Sequence, residues 1–161
     1  MRHVRDDVMN NPFTGLLRGK TVFVGVGNRL RGDDGLGPVI VLSLREATDC
    51  PCIDAGDAPE NHVGPIVRER PDTILIIDAV HLNGEPGAYV ILHEEDIART
   101  GFSTHTLSPH LFMHRLREMV NADILLLGVQ PLDMKFGEHL SQPVEAAVQE
   151  LVLLLTEACR S

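Results

Sequence analysis

The chain has 161 residues and a mass of 17.7 kDa, which fits one domain with a sizeable core. Its 43% hydrophobic and 23% charged content is ordinary for a soluble globular protein. A formal net charge of −9, with 4% aromatics, no Trp and one Tyr, argues against a phosphate-backbone binder or a base-stacking platform. No Lys/Arg-rich run offsets that balance, so nucleic acid is not an expected partner.

From the N-terminus, "MRHVRDDVMNNPFTGLLRGK" has no apolar core of the kind that exports a protein, and nowhere do about 18 apolar residues run together. The expectation is a cytoplasmic chain with no membrane partner, carrying an extension at 1–20 and one domain at 21–161. The extension reads as an extra helix or a disordered arm. Next, "TVFVGV" is a short β-branched run, a buried strand over Thr21–Val26. Gly37 to Arg45 follows as a helix, with Pro38 in its first turn and Ile40, Val41 and Leu44 on one face. "CIDAG" is a second strand, and a helix opens near Pro59 and closes before Pro71.

"TILIIDAV" is the clearest strand, typical of the centre of a parallel sheet. "GAYVILH" is a fourth strand, introduced by the turn "LNGEPG". "LSPHLFMHRLREMV" starts a helix at Ser-Pro and places Leu111, Phe112, Leu116 and Met119 at helical spacing. "DILLLGVQP" is a fifth strand, and "QPVEAAVQELVLLLTEACR" a long amphipathic helix with Val144, Ala147, Val148, Leu151 and Leu155 together. Alternation of strands and helices predicts an α/β domain with a mostly parallel sheet covered on both faces.

In open α/β sheets ligands collect beyond the carboxyl ends of the strands, and the polar residues there are few. Asp33 and Asp34 follow the first strand, Asp54 and Asp57 surround the end of the second, and Asp78 ends the third. His105 follows the fourth strand and its acidic trailer. If the strands are parallel there, four loops deliver acids and an imidazole to one edge.

The glycine-rich turn "VGVGNRLRGDDGLG" begins like a phosphate loop but fails as one. The third glycine position after Gly25 and Gly27 is Leu30, and Gly32–Gly37 holds no Lys, Ser or Thr. Two acids at its mouth would repel a pyrophosphate, so no nucleotide cofactor is expected. A cation fits better: one acid from the first loop, Asp78 and His105 form an oxygen/nitrogen set suited to nickel, zinc or iron. Three such ligands leave positions open for water or for a metal held by another molecule.

Simpler roles stand beside this one. Asp33 also reads as a cap for the following helix, Asp34 as a solvated acid, and His105 as a hydrogen-bonded loop histidine. Asp78 is harder to dismiss, because burying a carboxylate at the end of an apolar strand is expensive. His110 and His114 are spaced i, i+4, but no Glu-x-x-His context surrounds them, and a partly exposed helix face explains them. Cys50, Cys52 and Cys159 form no disulfide framework or zinc knuckle, and no Gly-x-Ser-x-Gly elbow or zincin helix is present.

"VGVGNRLRGDDGLGP", "DAGDAPEN", "ILIIDAV", "STHTLSPH" and "LLGVQP", in this order and spacing, resemble the nickel–iron hydrogenase maturation endopeptidases. The likeness runs from about Thr21 to Leu155 and is closest to the proteases serving formate-hydrogenlyase-type hydrogenases. It implies a three-layer α/β fold of the phosphorylase/hydrolase-like kind, with a five-stranded twisted sheet flanked by helices. It also implies an activity, removal of a C-terminal peptide from the hydrogenase large-subunit precursor after nickel has been inserted.

By the same resemblance, the nickel-contacting positions fall on Asp34, Asp78 and His105, with Asp33 as the neighbouring acid of the catalytic set. Nickel would arrive with the precursor, and the protease would be a monomer. Hydrolysis would be of an aspartic or a metal-assisted type. The alternative from another class is a nickel chaperone using the same three ligands and cutting nothing; the absence of a His-rich tract speaks against it.

Overall fold

The computed structural model describes residues 10–99 and 109–160. The apolar runs become five strands, β1 (Thr21–Val26), β2 (Cys52–Gly56), β3 (Thr73–Ala79), β4 (Tyr89–His93) and β5 (Asp123–Val129). The helices are α1 (Leu36–Ala47), α2 (Val63–Arg68), α3 (His110–Met119) and α4 (Gln142–Cys159). Short 3-10 turns occupy Gly32–Gly35, Pro59–His62 and Glu94–Arg99.

All five strands form one sheet in the order β2-β1-β3-β5-β4. The first four in that order run parallel, and β4 pairs antiparallel with β5. Side chains alternate across the sheet, so each strand feeds two cores. Val24, Ile76 and Leu126 pack with Ile66 of α2 and Met113 and Leu116 of α3. Phe23, Ile77 and Leu127 pack with Ile40 and Leu44 of α1 and Leu151 of α4. The expected three layers are present, and burial on both faces explains why the central strands read as unbroken apolar runs.

Three expectations are corrected in detail. First, β4 does not run with the others. Residues 80–88 are all that separate it from β3, too few for a crossover, which takes about a dozen residues or more. The carboxyl end of β4 therefore lies at the amino-terminal edge of its neighbours. Second, the helix expected from Pro59 is split into a 3-10 turn and α2. Pro65 has no N–H for a helix begun at Pro59, so the α-helix can start only just ahead of it. Third, α3 buries Phe112, Met113 and Leu116 and leaves Leu111 and Met119 exposed.

The described part of the N-terminal extension, residues 10–20, is neither a helix nor a loose arm. Phe13 is fully buried and its ring stacks on Tyr89 with centroids 6.4 Å apart. The Asn11 amide donates to the carbonyl of Leu154 at 2.7 Å, and the Arg18 N–H donates to the Thr73 hydroxyl at 3.1 Å. This segment straps α4 to the sheet. No helix among the described residues is long and apolar enough to cross a membrane.

Candidate active site

The glycines of the first loop serve chain packing. Gly25 faces α1, and a Cβ there would stand 2.5 Å from the carbonyl oxygen of Gly37. A Cβ on Gly37 would in turn overlap the carbonyl oxygens of Ile77 and Val26. The first turn of α1 thus lies directly on β1 and β3, at the carboxyl edge of the sheet. Gly27 adopts φ +137°, and a Cβ there would overlap the carbonyl oxygen of Asp34. Only glycine lets the loop close over that acid.

The adjacent acids are held by different groups. Asp34 is half-buried, and its Oδ2 accepts the Asn28 N–H at 2.8 Å. The Asn28 side chain accepts the Leu30 N–H at 2.9 Å, so the carboxylate and the amide together shape the turn. Asp33 is fully buried. Its Oδ2 accepts the N–H groups of Leu132 and Asp133 at 2.9 and 3.0 Å and the Ser141 hydroxyl at 2.7 Å, while Oδ1 accepts the Ser141 N–H at 2.7 Å. Those four donors match the roughly four acceptor sites of a carboxylate. Asp33 does not cap α1, whose N-cap is Gly35 with no side-chain cap. Instead it pins the loop between β5 and α4 against the loop after β1.

Burial pushes the Asp33 carboxyl up, but the Ser141, Asp133 and Leu132 donors outweigh it and hold the carboxyl below its ordinary value. A depressed folded value means that this group stabilises the fold fully above its unfolded pKa, about 4, and loses that contribution as pH falls through the lower folded value. Asp33→Asn sets an amide NH₂ against N–H donors and is expected to cost about 2 kcal/mol. Thermal melts followed from pH 7 to pH 2 check this. The variant should melt lower at neutral pH, and the gap should narrow at the acid end.

Asp78 is 3% exposed near the end of β3. It alternates to the side of Ile74 and Ile76, toward α2 and α3, and stands opposite Gly128 of β5. With Gly25 opposite Ile77, Val26 is its neighbour on β1. One carboxylate therefore emerges between a valine and a glycine, and the Val80 and Val90 side chains pack over that glycine. The sheet brings Asp78 and the loop of Asp34 to the same carboxyl edge.

Of the remaining candidates, Asp54 accepts the Gly56 N–H at 3.0 Å and closes the turn at the end of β2, where Gly56 has φ +58°. Asp57 is exposed beyond it. His105 lies outside the described residues. His114 stands 3.7 Å from Glu94 and from Glu118 on an exposed helix face. Among the described residues no three His, Cys, Asp or Glu side chains gather closely enough to hold a metal ion.

The cysteines collect at the other end of the sheet. The Cys52 thiol donates to the Cys50 carbonyl at 3.3 Å, and Cys50 and Cys159 line a cleft of 560 Å³ with Lys20, Arg45 and Arg160. Burial pushes the Cys52 thiol up to about 11 and the Cys159 thiol up to about 12. Such thiols are almost wholly protonated at neutral pH and are poor nucleophiles.

A doubly covered, mostly parallel sheet with carboxylates at its carboxyl edge agrees with one class of peptidase. The chain belongs to the hydrogenase maturation protease family: the model of the family described as HycI, hydrogenase maturation protease, matches residues 41–158. It is similar to the hydrogenase 3 maturation protease of Escherichia coli K12, with 34% identity over 131 residues, 80% of this chain and 83% of that one. Its fold is similar to the crystal structure of the NiFe hydrogenase maturation protease HycI from Thermococcus kodakarensis KOD1, with a TM-score of 0.79, 30% identity, and 88% and 93% of the two chains covered. The solution structure of the endopeptidase HycI from E. coli aligns with a TM-score of 0.73 and 31% identity over 84% of this chain and 88% of that one.

Proposed function

We propose that this peptidase removes a C-terminal peptide from the large-subunit precursor of a nickel–iron hydrogenase, and that nickel already seated in the precursor is what it recognises. What supports this reading is that two acids from separate elements, Asp34 in the loop after β1 and Asp78 at the end of β3, lie toward the same carboxyl edge of a sheet with the family's fold. In this reading the precursor's nickel, held by its own cysteines, takes up Asp34, Asp78 and His105 as further ligands. Carboxylate and imidazole donors suit a borderline divalent ion. Asp33, committed to four donors, positions the loop that presents Asp34.

Docking of the metal sets the scissile amide at the edge. Water adds to its carbonyl carbon, the C–N bond breaks, and the leaving amine takes a proton. The water is activated by a carboxylate of the edge as general base or by the substrate's nickel as Lewis acid. A precursor without nickel leaves the protease's polar groups unmatched and is a poor substrate.

One incubation tests the proposal. Purified protein is mixed with nickel-loaded or nickel-free precursor, and intact mass is followed for loss of a C-terminal peptide. Only the loaded precursor should shorten, and free nickel given to the protease alone should not restore cleavage of the empty one. A loaded precursor left intact would end the proposal. Equal rates with both precursors would remove metal recognition from it.

A further inference from the structure

Three cysteines far apart in the chain meet at the amino-terminal end of the sheet, a place the cleavage chemistry does not use. Cys50 lies in the turn before β2, Cys52 opens that strand, and Cys159 is the last residue of α4. All three are free, half-buried and packed against the same core as Phe23 and Leu151. Cys50 and Cys159 share the 560 Å³ cleft, and the Cys159 thiol is in hydrogen-bond contact with Cys50. A cleft of that size admits a small molecule to both sulfurs. Its bases Lys20, Arg45 and Arg160 stand with the acids Glu46 and Asp49, and Lys20 pairs with Glu69 at 2.9 Å. The two sulfurs, rather than any net charge, distinguish the cleft.

The backbone that carries the pair is fixed. The Cys50 N–H donates to the Thr48 hydroxyl at 3.3 Å, and the Pro51 carbonyl accepts the Phe23 N–H of β1 at 2.9 Å. On the other side Leu155 and Ala158 are buried, so the last turn of α4 is seated in the core. Cys52 is the odd thiol. Its S–H is directed to the Cys50 carbonyl at 3.3 Å, and a bond between these two would close a strained ring around Pro51. Cys50 and Cys159 come from separate elements and escape that constraint. Their roles differ. Burial, and after it the hydrogen bond to Cys50, pushes the Cys159 thiol up to about 12. Cys159 is therefore the proton donor of the pair and Cys50 the acceptor, which makes Cys50 the attacking sulfur and Cys159 the resolving one.

We infer that Cys50 and Cys159 form a thiol–disulfide exchange site, oxidised by a low-molecular-weight disulfide to a bond that ties the end of α4 to the turn before β2. The Cys50 thiol loses its proton and attacks one sulfur of the small disulfide. That S–S bond breaks, and one small thiol leaves with a proton. Cys159 then loses its proton and attacks the Cys50 sulfur of the mixed disulfide, and the second small thiol leaves. Two electrons pass from the protein thiols to the small disulfide, and excess small thiol reverses both steps. The tie closes a long loop of chain, from β2 to α4, and so restricts the unfolded state.

The test uses the full-length chain alone, without precursor or nickel, so its outcome is separate from that of the cleavage reading. Reduced protein is exposed to oxidised glutathione and its peptides are mapped by mass without reductant. The parent should lose two hydrogen atoms, with the peptide of Cys50 joined to that of Cys159, and dithiothreitol should undo the change. The oxidised parent should melt about 5–10 °C above the reduced one. Cys52→Ser should behave as the parent does, and Cys159→Ser should stop at a glutathione adduct on Cys50. Mapping of the parent needs no variant and decides the case if Cys159→Ser does not fold. A parent that keeps its thiols free in excess oxidised glutathione, joins Cys50 to Cys52, or carries glutathione without closing the bond overturns the site. A joined pair that leaves the melt unchanged overturns the tie.

Discussion

Asp34→Asn and Asp78→Asn proteins are expected to cleave nickel-loaded precursor about 10²–10⁴-fold more slowly than the parent while remaining folded. Both changes keep the shape of the side chain and remove its charge. In Asp34→Asn the amide oxygen can still accept the Asn28 N–H, so the turn that carries Leu30 should survive. In Asp78→Asn the side chain stays between Val26 and Gly128 at the end of β3. What each variant lacks is the anionic oxygen that would bind the substrate's nickel or take a proton from water. His105→Ala belongs to the same series and should fall as far. Single-turnover cleavage read by mass, beside a thermal melt of each variant, separates lost chemistry from lost fold. Full activity in all three would remove the assignment of these residues.

Gly37→Ala is expected to be strongly destabilising. Its new Cβ would overlap two backbone carbonyl oxygens, those of Ile77 and Val26, and neither can swing aside as a side chain would. Relief requires α1 to lift from β1 and β3, which opens the core where Leu36, Ile40 and Leu44 are fully buried. A cost of about 3–5 kcal/mol follows from overpacking and lost contacts. At this chain length that lowers the melting temperature on the order of 10 °C. Gly64→Ala is the control. It lies on an open face where a Cβ meets nothing nearer than 3.9 Å, so its melt should be close to that of the parent. Equal melts for all three proteins would show that α1 does not sit as tightly as the glycines imply.

Much of the fold was legible because its strongest signals are local. "TILIIDAV" reads as a strand since both of its faces are buried, and the spacing of Val144, Val148, Leu151 and Leu155 reads as a helix since one face is. The direction of β4 is not a property of its own residues; it follows from the short link after β3 and from which strand lies between them. Phe13 escaped for a similar reason, being one aromatic in a polar stretch with no periodic partners, whose burial depends on α4 and Tyr89 far along the chain.

The two acids show the limit most clearly. Adjacent carboxylates look alike on paper, and spacing marks both as residents of the carboxyl edge. What separates them is that Asp33 meets Ser141, 108 residues away, while Asp34 meets Asn28, six residues before it. Ser141 could be noticed only as a serine before Gln-Pro at a helix start. It sits at the N-cap of α4, yet its side chain serves Asp33 instead of the helix.

That long reach has a consequence during synthesis. A ribosome releases Asp33 early and its donors at 132, 133 and 141 near the end, so the full set of partners for this acid exists only when the start of the final helix has been made. The edge is therefore finished by the end of the chain: a fragment ended before residue 141 keeps every acid of the edge but lacks both Ser141 donors that anchor Asp33.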